Sequence, residues 1–207
     1  ATKQSAYGYM AIEGGFDIKP FFKSVSILGR AGIGPCEGEK IKVSEKISIK
    51  SNRKSKKNFI IDFVNENRNT IRVLKGPQFD YFSKESQKDF FSKKFKISNL
   101  TDRMGMRLEG SAMKNILNTN IRSEGITKGA IQVPADGKPI VLLTDYPTIG
   151  GYPKIANVIT ADYDLLVQKV PGTNISFKCI ELPEAENLYR VKHNNILKII
   201  KEIKEII

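Results

Sequence analysis

SEGITKGAIQVPADGKPIVLLTD, residues 123–145, followed by GGYPKIA at 150–156, is the stretch whose reading decides the fold of this chain. Residues 129–133 alternate as a strand does, with Ala130 and Gln132 on one face and Ile131 and Val133 on the other. Gln132 therefore shares its face with a small neighbour, which leaves room beside its carboxamide. Residues 134–137, PADG, form a turn: proline presets φ at its position and Gly137 tolerates positive φ. Residues 140–143, IVLL, are a continuous apolar run too short for an ordinary helix, and they fit a strand buried on both faces. Thr144 and Asp145 end that run, which puts Asp145 at the mouth of the strand. In the loop after it, Gly150 and Gly151 permit unusual backbone angles or close approach of another group. Two readings fit the segment. One is a plain hairpin with a solvated turn and a surface loop; the other is a pocket built where strand ends meet.

On the second reading, Lys154 supplies up to three donors to a developing oxyanion or a carboxylate, held in place by the loop before it. Gln132 offers donor and acceptor together, which suits an amide or lactam. Asp136 and Asp145 are candidates for a general base or for orienting Lys154, although a turn favours Asp at 136 in any case. Arg103 and Arg107 lie four residues apart, a strand spacing that points both guanidinium forks to one side for carboxylate recognition. Glu109 falls on that side as well, so an Arg–Glu pairing competes. Tyr152 either packs the loop or hydrogen-bonds a ligand. The single histidine, His193, lies in the tail, and no Gly-x-Ser-x-Gly elbow is present, so a nucleophilic triad is not assembled.

Outward from this segment, short strand-like stretches recur at 7–12, 40–49, 59–64 and 70–74 with turn residues between them, a rhythm of barrels or sandwiches. Residues 79–91 read as a packing helix with Phe79, Phe82 and Phe90 on its apolar face. Asp162 to Gln168 reads as a short capped helix. From 184 onward, Leu188, Val191, Ile196, Ile199, Ile200, Ile203 and Ile207 recur at helical spacing, so the tail is expected to be an amphipathic helix whose apolar stripe must be covered.

With 34 Lys and Arg against 22 Asp and Glu, the net charge is +12, which raises the question of nucleic acid. The densest basic run, 40–57, alternates lysines with Val43, Ile47 and Ile49 and lacks interleaved aromatics, so it reads as solvated strand faces and a charged turn at 52–57. No nucleic-acid partner is expected. No apolar run reaches membrane-spanning length and no membrane partner is expected. Two distant cysteines, Cys36 and Cys179, and one histidine do not make a usual zinc site, so no metal is expected; reduced thiols and a cytoplasmic location are.

The motifs along the whole chain resemble one bacterial family. Residues 11–17, AIEGGFD, are similar to its AVAGGID; GRAGIG at 29–34 with Glu37 and Gly38 resembles RAGIGGFEG; VLKGPQ at 73–78 resembles RVLPGPQ. SNLTDRMGMRLEG at 98–110 resembles SDRMGYRLEG, and Pro171-Gly172 with Ile175-Ser-Phe177 resembles PGDxVRF. The family is that of the C-type subunit of 5-oxoprolinase, also called allophanate hydrolase subunit 2, related to the carboxyltransferase region of biotin-dependent urea carboxylase. The family's leading segment is absent, so residue 1 is expected to fall within a longer pattern. An arginine usual after the position of Asp145 is replaced here by Tyr146.

The resemblance implies a mainly β protein of cyclophilin-like barrel lobes with a few short helices. The expected division is a remainder of a first lobe at 1–96, a barrel lobe at 97–182 and the tail helix at 183–207. It implies a subunit of an ATP-dependent 5-oxoprolinase, opening 5-oxoproline to glutamate with a kinase-inhibitor-like subunit and a lactam-utilisation-type subunit. Lys154, Gln132, Asp136 and Asp145 would carry the chemistry, and Arg103, Arg107 and Tyr152 would bind the small-molecule substrate. ATP is expected either here or on a partner subunit. The alternatives are a carboxyltransferase component of a urea carboxylase-like system, which would use biotin, and a non-enzymatic subunit that regulates a kinase-inhibitor-like partner. A homo-oligomer is a further expectation, from the uncovered tail stripe.

Overall fold

The computed structural model describes residues 5–51, 58–60, 67–117 and 120–206, with backbone alone at 58–60 and 204–206. In chain order, the first elements are β1 (Asn58–Ile60), β2 (Thr70–Lys75), α1 (Lys84–Ser92), β3 (Phe95–Ile97) and β4 (Gly105–Glu109). Then follow β5 (Glu124–Gly125), β6 (Ala130–Gln132), β7 (Ile140–Leu142), β8 (Ile149–Gly150) and β9 (Lys154–Val158). The chain continues through α2 (Thr160–Val167), β10 (Asn174–Cys179), α3 (Leu182–Lys201) and β11 (Lys204–Ile206). Two compact units divide it: 1–8 with 61–203, and 9–60 with 204–207.

The larger unit is built on a closed barrel in the order β10-β2-β9-β6-β7-β4-β3, with β3 returning to β10. Only β10 and β2 pair in parallel; the other neighbours are antiparallel. Alternation explains the strands. Ile71 and Val73 of β2, Met106 and Leu108 of β4, and Ile175 and Phe177 of β10 point inward and are buried, while the residues between them face out. The expectation of a mainly β barrel protein is met. The barrel takes strands from both sides of residue 97, since β2 and β3 belong to it.

Helix α1 packs onto the barrel as the aromatic spacing of 79–91 predicts, but a 3-10 turn at Phe79–Tyr81 precedes it, and Phe82 and Ser83 separate the two. The Ser83 hydroxyl accepts the backbone N–H of Ser86 at 3.1 Å and so caps the helix. Phe90 reaches the core and stacks on Phe177, with ring centroids 4.7 Å apart and planes 8° from parallel. Helix α2 starts at Thr160, two residues before the expected cap, with Asp162 wholly buried in its first turn.

Helix α3 is the expected amphipathic tail helix. It packs Ala185 and Leu188 against Ile159, Ala161 and Ile180. Of the rest of the stripe, Val191, Ile196, Ile200 and Ile203 are exposed, as is the neighbouring Leu197, while Ile199 is half-buried. The helix stops at Lys201, and residues 204–206 form β11 instead of continuing it. Ile207 lies outside the described residues.

In the smaller unit, β1 and β11 pair antiparallel, and isolated bridges join Phe16 to Ile49, Phe21 to Ser24 and Leu28 to Ile33. The strands expected at 7–12 and 40–49 do not form. A period of two makes a strand only where a neighbouring ladder accepts its backbone groups; here Val43 stays exposed, and among the described residues Ile49 finds only the bridge to Phe16. Of the strand expected at 59–64, residues 59–60 lie in β1 and 61–64 lie outside the described residues, as does the basic turn at 52–57.

Candidate functional site

Strands β6, β7 and β9 hold the site, on the outer face of the barrel. Ile131 and Val133 belong to the barrel core, whereas Ala130 packs with Ile126 and Leu142 on the other side, so the two faces of β6 separate as the alternation predicts. Gln132 lies on Ala130's face and is only 5% exposed.

Across the ladder, Ala130 pairs with Asn157 and Ile131 with Ala156, but Gln132 pairs with Lys154. The register shifts there, and Ile155 is the extra residue. Simple alternation from Ala156, which faces the core, would turn Lys154 inward. The bulge brings Ile155 and Ala156 both into the core and places Lys154 opposite Gln132. Directly opposed residues share a face, so the ammonium stem and the carboxamide run side by side. Lys154 is 5% exposed, unusual for lysine and tolerable only with a partner.

That partner is Glu124 of β5. Its Oε1 accepts from Lys154 Nζ, and also from Gln78 Nε2 at 2.8 Å. Gln78 is anchored in turn, because its Oε1 accepts the backbone N–H of Lys154 at 3.1 Å. The bonds to Lys154 and then Gln78 hold the Glu124 carboxyl below the usual range, so it is ionised at neutral pH. The short ribbon of β5 and β8, Glu124 opposite Gly150, lies beside the site.

Two glycines make the approach possible. A Cβ at Gly76 would collide with the carbonyl oxygen of Lys154, where the chain packs backbone to backbone and Gly76 N–H donates to Ile155 O at 2.9 Å. A Cβ at Gly150 would stand 2.8 Å from Gln132 Nε2. Among the described residues that Nε2 has no hydrogen-bond partner, although it is buried.

Of the residues proposed from sequence, Lys154 and Gln132 come together, and no described hydrogen bond or ion pair joins the others to them. Asp136 is exposed in its turn, its Oδ1 accepting the Lys138 N–H at 3.1 Å. Asp145 is bound bidentately by Arg103, at 2.7 and 3.0 Å, which ties the loop before β4 to the loop after β7. Arg103 precedes β4 and is not on a strand, so the four-residue spacing does not set it beside Arg107, which is exposed on β4's outer face with Glu109. Tyr152 is 41% exposed, in the loop that leads into Lys154. Gln78 and Glu124 complete the site and are not among the residues proposed from sequence. Glu124 stands in the opening stretch and Gln78 in the VLKGPQ motif, but only the ladder brings them within reach of Lys154. The site thus offers one ammonium and two carboxamides to an anionic or planar amide-like group.

Residues 1–179 match the family described as carboxyltransferase domain, subdomain A and B. The chain is 38% identical over 179 residues to the C-type subunit of 5-oxoprolinase from Escherichia coli, covering 86% of this chain and 57% of that protein. It is 34% identical over 189 residues to the corresponding 5-oxoprolinase subunit of Haemophilus influenzae, covering 91% of this chain and 61% of that one. It therefore spans less than two thirds of the length of these relatives. Its fold is similar to part of the urea carboxylase of Kluyveromyces lactis, with a TM-score of 0.77 at 24% identity, covering 91% of this chain and 19% of that one. The match over most of its length agrees with the motif resemblance: this chain belongs to the carboxyltransferase-domain family, subdomains A and B.

Proposed function

We propose that this chain is part of a cytoplasmic 5-oxoprolinase subunit, acting with partner subunits in the ATP-dependent opening of 5-oxoproline to glutamate. The observation that carries this reading is the buried Lys154 ammonium set beside the Gln132 carboxamide, in a chain related to two proteins named as 5-oxoprolinase subunits of the C type. A lactam is a planar, resonance-stabilised amide, and its opening benefits from donors fixed in place before charge develops. Lys154 supplies a charged donor, and Gln132 a donor and an acceptor, to a substrate that carries both a lactam and a carboxylate. Among the described residues the contacts of the site include a single cation, Lys154, which does not suit a triphosphate, so we assign ATP to a partner subunit and route no step through it. Asp136 and Asp145 are occupied by their turn and by Arg103, which leaves Lys154 and Gln132 as the residues on which the reading stands.

The test is glutamate release from 5-oxoproline and ATP by the full-length subunit with its partners. Lys154→Ala is expected to lower the rate by about tenfold or more in a protein that still folds; unchanged turnover removes Lys154 from the reaction. The family description supports a second reading, transfer of a carboxyl group from carboxybiotin to a urea-like nitrogen. Biotin-dependent consumption of urea without glutamate release would select it.

A further inference from the structure

We propose that Glu124 is an internal occupant of a carboxylate-binding site formed by Lys154, Gln78 and Gln132, and that the substrate's own carboxylate displaces it. This rests on the reading of the Lys154 site as the substrate site.

The two sides of the contact are built differently. The donors are buried: Lys154 is 5% exposed and Gln78 8%, and Gln78 is fixed by the backbone of Lys154. The acceptor comes from outside, on a two-residue strand, with its side chain 43% exposed. Only the receiving half of this contact is built into the protein.

The donors also outnumber what the described contacts use. Glu124 Oε1 takes two of them, from Lys154 and Gln78. Gln132 Nε2 remains buried and unpartnered among the described residues, facing Gly150, which stands opposite Glu124 in the ribbon. A buried donor left unpaired costs about 1–3 kcal/mol, so a ligand that brings a second oxygen to it gains an interaction that the contacts of Glu124 do not supply.

The chemistry of the ligand follows from the competition. An ionised carboxylate makes charge-assisted bonds to the ammonium that a neutral lactam carbonyl cannot match. A ligand able to displace Glu124 in its ground state must itself present a carboxylate, with one oxygen on Lys154 and Gln78 and the other toward Gln132. When it binds, the Glu124 side chain swings out to water, where its charge is readily solvated.

The experiment titrates the 207-residue chain with 5-oxoproline and with 2-pyrrolidinone, the same lactam without the carboxylate, by calorimetry. Glu124→Gln is expected to bind 5-oxoproline about tenfold tighter than the unsubstituted chain and to leave 2-pyrrolidinone unchanged. Glu124→Ala, which removes the whole side chain along with its charge, should move affinity in the same direction. Lys154→Met, alone or combined with Glu124→Gln, should abolish the binding. If 5-oxoproline binds with a Lys154 requirement but the Glu124 variants bind it equally or more weakly, displacement is refuted and the site survives. If 5-oxoproline binds none of the proteins, or binds regardless of Lys154, the site reading and the displacement both fall.

Discussion

Gln132 and Lys154 stand opposite each other on β6 and β9 because the ladder between them slips by one residue at Gln132. Without that slip Lys154 would follow Ala156 toward a core lined by Ile71, Val73 and Ile131, where an ammonium has no partner. The bulge is thus what lets a lysine be buried and still paired, and each substitution that disturbs it should be felt at the site.

Gly76→Ala is the most direct disturbance. Its new methyl would collide with the Lys154 carbonyl oxygen and meet the Ala156 nitrogen at 2.8 Å, both backbone atoms that cannot rotate away. Chemical unfolding should show a loss of about 1–3 kcal/mol, as overpacking does. Gly125→Ala, with nothing within 4 Å, should be within about 0.5 kcal/mol of the unsubstituted chain.

Acid stability should depend on Asp162. Burial of this carboxyl raises its pKa, but hydrogen bonds from Arg68 and Arg72, among them Arg68 Nη1 at 2.8 Å and Arg72 Nη2 at 2.6 Å, outweigh burial and bring it from 3.8 to about 2. A depressed carboxyl stabilises the fold fully above its unfolded pKa and loses that contribution as pH falls from about 4 toward 2, a difference of about 2 kcal/mol. Stability measured by urea unfolding at stepped pH should decline through that window. Asp162→Asn should be less stable at neutral pH and show a shallower decline; an unaltered acid limb would locate the effect elsewhere.

Phe90→Ala should be the costliest single truncation in α1. Phe90 is fully buried and stacked on Phe177, so removal leaves a ring-sized gap against the barrel and costs about 3–5 kcal/mol. Truncating Lys88 on the same helix, which is exposed, should change little.

The open stripe of α3 should govern association. Ile196 and Ile200 are 42% and 57% exposed with Leu197 between them, and contiguous apolar surface of this kind marks an interaction face. Light scattering of the isolated chain should show concentration-dependent association that Ile196→Asp with Ile200→Asp removes, while melting is unchanged. A monomer at all concentrations, with or without the substitutions, would leave this face without that role.

Most of the larger unit was legible from local pattern. The alternation of 129–133, the apolar run at 140–143 and the aromatic spacing of 79–91 all name real elements, because period two and helical spacing are properties of neighbouring residues and need no knowledge of the rest of the chain. The same reasoning failed at 40–49, where the pattern is present and, among the described residues, the pairing strand is not. At the site, Lys154 and Gln132 could be singled out because each stands at an informative place in its own segment. Glu124 and Gln78 could not, since 30 and 76 residues separate them from Lys154 and their meeting depends on one bulge, one glycine contact and one two-residue ribbon. Arg103 shows the converse: strand spacing set it beside Arg107, and the loop carried it to Asp145 instead. Residue type and periodicity decide which groups face out of a strand; which groups then touch is decided by register, and register is a property of the closed barrel.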